Sequence, residues 1–202
     1  MDRRITIIFI TGHHNAGKTT LAQWLKNYGF VHIETGDIIR KKHKELSPGT
    51  NFNNWVNFIG QQDPDFFNKC ILEVVVNAFK KIEKSNGKVQ DIVVTGNRQI
   101  EGIQYICSNI NLLDNKPIIL YVDSSEEELF KRHFQRSDCR HLNMNRKMFK
   151  EYLELERSMG LEKIKPYADC VIKSKMNIKK TREEVITYLQ SIGYNVKTGI
   201  KN

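Results

Sequence analysis

Residues 5–10 form a short, β-branched, almost wholly apolar run that ends at a glycine-containing turn. Such a run suits a strand buried on both faces of a parallel sheet, and it predicts a central position. From residue 18 the period changes: Leu21, Trp24, Leu25 and Tyr28 recur at helical spacing, and Gly29 supplies the stop. A second strand is predicted over residues 30–33, then a helix from about 37 to 45 that Pro48-Gly49 breaks. Residues 51–62 are polar and aromatic, and leave helix and loop open. Pro64 stands where a helix can begin, and Phe67, Ile71, Val74, Val75, Ala78, Phe79 and Ile82 keep one apolar stripe as far as Asn86-Gly87.

Residues 89–95 and 117–122 read as strands, with a helix over 99–108 between them. Ser124 or Ser125 can cap a helix through Glu126, Leu129, Phe130, His133 and Phe134, whose first turn is acidic where the helix dipole favours it. A basic stretch over 136–146 interrupts that helix. A further helix over 147–159, a strand over 170–173 and a last amphipathic helix through Val185, Ile186, Tyr188, Leu189 and Ile192 follow. Strands separated by helices predict an α/β fold with a five-stranded parallel sheet covered on both faces, because parallel neighbours need right-handed helical crossovers. In such sheets ligands gather at the carboxyl ends of the strands.

A chain of 202 residues with 40% hydrophobic and 27% charged residues suits a single globular domain rather than a disordered or fibrous one. The net charge of +9 points to an anionic partner without choosing among a phosphate-rich metabolite, nucleic acid and anionic lipid. The basic residues are scattered in pairs such as Lys41 and Lys42, Lys80 and Lys81, and Lys179 and Lys180, which read as solvated helix faces. Cys70, Cys107, Cys139 and Cys170 form no C-x-x-C pair, which suits a reducing compartment. The apolar run at 5–10 is too short for a secretory signal, and no stretch approaches the roughly 20 apolar residues of a spanning helix. A cytoplasmic protein with no membrane partner is expected.

Gly12-His13-His14-Asn15-Ala16-Gly17-Lys18-Thr19 matches G-x-x-x-x-G-K-[ST] and falls between a predicted strand and a predicted helix, as that phosphate-loop motif demands. Its glycines let backbone N–H groups point into one concavity, and the helix end adds partial positive charge. The expected nucleotide contacts are therefore Gly12, His13, His14, Asn15, Ala16, Gly17, Lys18, Thr19 and Thr20, with ATP as the ligand. Both histidines are expected to act through backbone amides. Lys18 should reach the outer phosphates, and the Thr19 hydroxyl should ligate Mg²⁺.

A phosphate loop alone permits several nucleotide-hydrolysing classes. The nearest string to the N-K-x-D element of GTPases, Asn115-Lys116-Pro117-Ile118, lacks the aspartate. AAA-type and helicase motors are as a rule longer, with a second apolar lobe that this chain lacks. Glu34-Thr35-Gly36-Asp37-Ile38-Ile39-Arg40, directly after the second strand, resembles the T-G-D-x-x-R element of nucleoside monophosphate kinases. Asp37 and Arg40 lie three apart at a helix start and can share a face, the carboxylate for an acceptor hydroxyl or sugar and the guanidinium for a phosphate. Val93-Val94-Thr95-Gly96-Asn97-Arg98 looks like the element that ends the third strand of the same kinases, and Arg98 fits its arginine. Thr95 departs from the family, which usually has an acidic partner of Mg²⁺ there; Glu34 or Asp37 could substitute through water. Asp91, at the other end of that strand, reads as structural.

Arg132, Arg136 and Arg140 recur every four residues and resemble the R-x-x-x-R element that opens the lid of these kinases. There they would neutralise charge on the transferring phosphoryl group and help exclude water. His133, Cys139 and His141 supply too few ligands for a structural zinc site. Tyr167-Ala168-Asp169-Cys170-Val171-Ile172 resembles the strand near the C-terminus of dephospho-coenzyme A kinase, where the next loop borders adenine, making Lys173 and Ser174 candidates for base contacts.

The resemblance covers most of the chain and is thinnest at residues 47–63. It implies a three-layer α/β/α P-loop kinase as one domain over residues 1–202, with an acceptor-binding region at about 37–85 and a lid at about 132–146. Lys18, Asp37, Arg98, Arg132 and Arg136 would serve catalysis. Asp37, Arg40 and Arg98 would bind the acceptor, and Arg132 would also touch ATP. The implied acceptor is a nucleoside or deoxynucleoside monophosphate, or dephospho-coenzyme A. Two other readings stand beside it. One is a P-loop kinase or ATPase acting on nucleic acid, supported by charge alone, with no RRM, KH or helix-turn-helix signature. The other is a regulatory ATP-binding protein without transfer activity, motivated by Thr95.

Overall fold

The computed structural model describes residues 5–84, 91–110, 117–135, 144–174 and 178–194. Strand β1 (Ile7–Thr11) is buried at every position. It lies between two parallel neighbours, β3 (Asp91–Thr95) and β4 (Ile118–Asp123), with Ile8 level with Val93 on one side and Ile118 on the other. β2 (Phe30–Glu34) pairs outside β3 and β5 (Cys170–Lys173) outside β4, giving the all-parallel order β2-β3-β1-β4-β5. The central place expected for the first apolar run follows from this burial: an edge would have left one row of backbone groups unpaired.

Side chains alternate across β1. Ile8 and Ile10 join Leu21, Leu25, Leu120, Leu153, Val185 and Leu189 on one face. Ile7 and Phe9 join Ile71, Val75, Ile103 and Ile106 on the other. The first face is covered by α1 (Lys18–Lys26), α7 (Arg146–Ser158) and α8 (Ile178–Ser191), the second by α4 (Phe66–Lys84) and α5 (Ile100–Asn109). Helix α2 (Thr35–Leu46) follows β2 directly, two residues earlier than its apolar pattern indicates.

The stretch left open at residues 51–62 is helix α3 (Phe52–Gln62). Asn51 caps it, its side chain accepting from the backbone N–H of Asn53 at 3.0 Å and of Asn54 at 3.1 Å. Its anchor is Trp55, which is 5% exposed and packs against the rings of His43, Phe52, Phe66 and Phe67. One buried indole thus ties α2, α3 and α4 together. Helix α6 (Glu126–Gln135) begins with a reciprocal cap: Ser125 Oγ accepts from Glu128 N–H, and the Glu128 carboxylate accepts from Ser125 N–H. Residues 136–143 lie outside the described residues, so the expectations for Arg136, Cys139, Arg140 and His141 fall there. Asp91 accepts from the Thr6 N–H at 2.8 Å and from the Tyr194 hydroxyl, far from the carboxyl edge. Among the described residues no helix is long and apolar enough to cross a membrane.

Candidate active site

The phosphate loop leaves the carboxyl end of β1 and closes at α1. Gly12 has φ +137°, and its backbone passes so near β4 that a Cβ would overlap the Val122 carbonyl oxygen. Asn15, at φ 64°, takes a left-handed turn that its short polar side chain tolerates. Inside the loop the Ala16 N–H donates to the His13 carbonyl at 3.1 Å, and the first helical bond runs from Leu21 N–H to the Gly17 carbonyl at 3.0 Å. The amides of Lys18, Thr19 and Thr20 precede that bond and are therefore the helix-end donors that favour an anion. Lys18 Nζ curls back over the loop, donating to the Gly12 carbonyl at 2.7 Å and the His13 carbonyl at 2.6 Å.

Arg132 on α6 grips this loop by its carbonyl oxygens. Its guanidinium donates to the carbonyls of Asn15 (3.3 Å) and Ala16 (3.1 Å), to Ser124 Oγ (3.3 Å), and to the hydroxyl (3.0 Å) and carbonyl (3.2 Å) of Ser174. Peptide groups are planar and trans, so drawing the Ala16 carbonyl toward Arg132 turns the Gly17 N–H the opposite way. Arg132 therefore orients the backbone of the cradle and ties it to the segment after β5. Ser174, expected near the adenine, is buried in this clasp.

A second clamp comes from α7. Glu156 is 1% exposed, and its Oε2 accepts from the His14 N–H at 2.8 Å and lies 3.2 Å from His13 Nδ1. Its other oxygen meets Arg98 at 3.2 Å. Burial pushes the Glu156 carboxyl up, but the bonds from His13 and His14 and the charges of Arg98 and Lys18 outweigh burial and hold it below the ordinary glutamate range. One turn earlier, Tyr152 places its hydroxyl 3.3 Å from Arg98 and its ring edge-on to His14. Arg98 is thereby joined to the loop through α7.

At the β2 edge, Glu34 Oε2 accepts from Thr19 Oγ1 at 3.2 Å and from Thr95 Oγ1 at 2.7 Å. His32 Nε2 lies 2.7 Å from Thr95 Oγ1, and its Nδ1 lies 3.3 Å from Gln23 Nε2. Burial, opposed by the Glu34 charge, depresses the His32 pKa and favours a neutral ring. Asp37 and Arg40 pair with each other at 2.6 Å on the exposed first turns of α2. Asn97 Oδ1 is buried with no hydrogen-bond partner among the described residues. A cleft of about 480 Å³ opens beside the loop at His13, Tyr121, Asp123, Arg157, Glu162 and Lys165. Its charges satisfy one another, Lys165 with Asp123 at 2.8 Å and Arg157 with Glu162 at 3.0 Å. Lys18 and Thr19 lie outside its lining, so the loop, with its helix-end amides, is the better candidate for chemistry.

Glu156 and Tyr152 are the residues that motif reading does not find. The available signal was Glu156 continuing the stripe of Phe149 and Leu153, an acid at a helix position that should be apolar. Because its folded pKa is depressed, Glu156 contributes stability above the unfolded carboxyl pKa of about 4.3 that is lost as pH falls through the folded value. Glu156→Gln should cost about 1–2 kcal/mol at neutral pH. That difference should shrink toward zero as pH falls from the unfolded carboxyl range through the lower folded value, measured by denaturant unfolding of both proteins across the range.

The family model described as AAA domain matches residues 11–147. UMP-CMP kinase 1 of Oryza sativa subsp. japonica is 28% identical over 140 residues, which make up 68% of this chain and 54% of that protein. Adenylate kinase isoenzyme 1 of Rattus norvegicus is 25% identical over 197 residues, 94% of this chain and 97% of that protein. The chain thus matches about half the length of the rice relative and nearly all of the rat one. Among solved structures, TT1252 from Thermus thermophilus superposes with a TM-score of 0.61 over 94% of this chain and 98% of that one, at 17% identity, a likeness of fold. With its phosphate loop, parallel sheet and kinase relatives, the chain belongs to the AAA-domain family of P-loop proteins, alongside the nucleotide kinases.

Proposed function

We propose that this chain is an ATP-dependent phosphotransferase acting on a small nucleotide-like acceptor: a nucleoside or deoxynucleoside monophosphate, or dephospho-coenzyme A. The observation that carries the proposal is the convergence on one sheet edge of the loop bearing Lys18 and Thr19 with Arg98, which Glu156 links to that loop. The kinase relatives support the same reading.

In this reading the amides from Gly17 to Thr20 hold the outer phosphates of ATP. Lys18 exchanges two carbonyl oxygens for phosphate oxygens, a replacement of like acceptors that needs no rebuilding of the loop. The oxygen donors at Thr19 fit a hard cation, and Thr19 Oγ1 would ligate Mg²⁺. Bound there, the ion neutralises charge on the phosphate oxygens. Arg98 and Arg40 orient the acceptor's phosphate, Asp37 its hydroxyl or sugar, and the Asn97 side-chain oxygen can accept one of its N–H or O–H groups. An acceptor oxygen then bonds to the γ-phosphorus as the bond to the β–γ bridging oxygen breaks, and ADP leaves. Where the acceptor is a hydroxyl, Asp37 receives its proton. Arg132 acts by positioning the loop, and Arg136 is the candidate for the charge on the transferring group.

A coupled ADP-release assay over a panel of monophosphates and dephospho-coenzyme A tests the activity and names the acceptor. Lys18→Ala should lower kcat on the order of 10²-fold or more, by loss of a preorganised cation; near-normal turnover would contradict its role. Arg98→Ala should raise the acceptor KM and leave the KM for ATP near its wild-type value, and an unchanged acceptor KM would refute the assignment.

A further inference from the structure

We propose that Glu34 is the carboxylate that positions Mg²⁺ at Thr19, through the hydroxyl and water around the ion, and that Thr95, His32 and Gln23 are positioning residues that hold it there. The inference rests on the kinase reading above and deepens it at the metal.

β3 ends not in a carboxylate but in Thr95, which is fully buried. Its partner across the sheet is Glu34, directly level with it in the parallel register. A carboxylate on Glu34 thus serves the same corner of the site from the neighbouring strand. A hydroxyl that ligates a metal through a lone pair keeps its proton and needs an acceptor for it. Thr19 Oγ1 already donates that proton to Glu34 Oε2 at 3.2 Å.

The polarity of the neighbouring bonds points the same way. Thr95 has a single hydroxyl proton and gives it to Glu34 at 2.7 Å, so toward His32 it can only accept. His32 must then carry its proton on Nε2, which leaves Nδ1 to accept from the Gln23 amide. Gln23, His32 and Thr95 form one chain of donors running toward the Glu34 carboxylate, each with its role fixed by the next.

The backbone also makes room for that carboxylate. Gly96 sits at φ +97°, and a Cβ there would overlap both Glu34 Oε1 and Thr35 Oγ1. The other nearby acids are committed elsewhere: Asp37 is 74% exposed and paired with Arg40, and Asp91 binds Thr6 and Tyr194 at the opposite end of β3.

The test is a Mg²⁺ titration of the full chain saturated with a fluorescent ATP analogue, with bound Mn²⁺ counted by electron paramagnetic resonance and thermal stability followed in parallel. Glu34→Gln should raise the half-saturating Mg²⁺ concentration about tenfold or more, as loss of an outer-shell metal partner does, with nucleotide affinity in the absence of metal near wild type. Thr95→Val should give a smaller rise. The double variant Glu34→Gln, Thr95→Asp should return the half-saturation point toward wild type, which a merely structural role for Glu34 would not do. An unchanged Mg²⁺ requirement in Glu34→Gln, or a double variant as impaired as the single one, overturns the inference while leaving the kinase reading intact. A wild-type chain that binds the analogue neither with nor without Mg²⁺ overturns both.

Discussion

A strand buried on both faces and paired in parallel on both edges cannot be joined to its neighbours by tight turns. Each connection must climb over the sheet as a helix and return, so every strand delivers its carboxyl end to the same edge. β1 imposes this condition here, with Val93 and Ile118 level with Ile8 on its two sides. Residues remote in sequence meet at that edge as a result. Arg132 reaches the carbonyls of Asn15 and Ala16, and Glu156 reaches the amide of His14. The loop is therefore shaped by the crossovers as much as by its own glycines.

These contacts turn a flexible backbone into an oriented set of dipoles. Arg132 takes the carbonyl side of the loop and Glu156 takes one amide and the imidazole of His13, while the helix-end amides precede the first bond of α1. Burying Glu156 is costly by itself, and the bonds from His13 and His14 with the nearby Arg98 and Lys18 offset that cost. Donors fixed before a ligand arrives lose little on reorganisation, which is the condition under which such dipoles stabilise transferring charge best.

What could be read in advance was what is local. The phosphate loop, the turn from Glu34 into α2 and the element at Thr95 to Arg98 are short strings whose backbone demands are written in adjacent residues, and the five strands emerge from their β-branched runs. Helix α3 is not legible along the chain because its cap is a single asparagine and its burial rests on Trp55, whose aromatic partners besides Phe52 come from two other helices. The part played by Glu156 depends on a fold-level meeting of α7 with a loop near the other end of the chain. Arg132 is legible as a cation near the site, but the Asn15 and Ala16 carbonyls, the Ser124 hydroxyl and Ser174 that it binds come from three separate loops, and no spacing along the chain encodes that convergence.

Whether the loop is a triphosphate cradle can be decided by a crystal structure of the chain with a nonhydrolysable ATP analogue and Mg²⁺. Lys18 Nζ should be found on the outer phosphate oxygens instead of the Gly12 and His13 carbonyls, with Arg132 still holding Asn15 and Ala16. Phosphates seated elsewhere, for example in the cleft beside Lys165, with Lys18 unmoved, would contradict it.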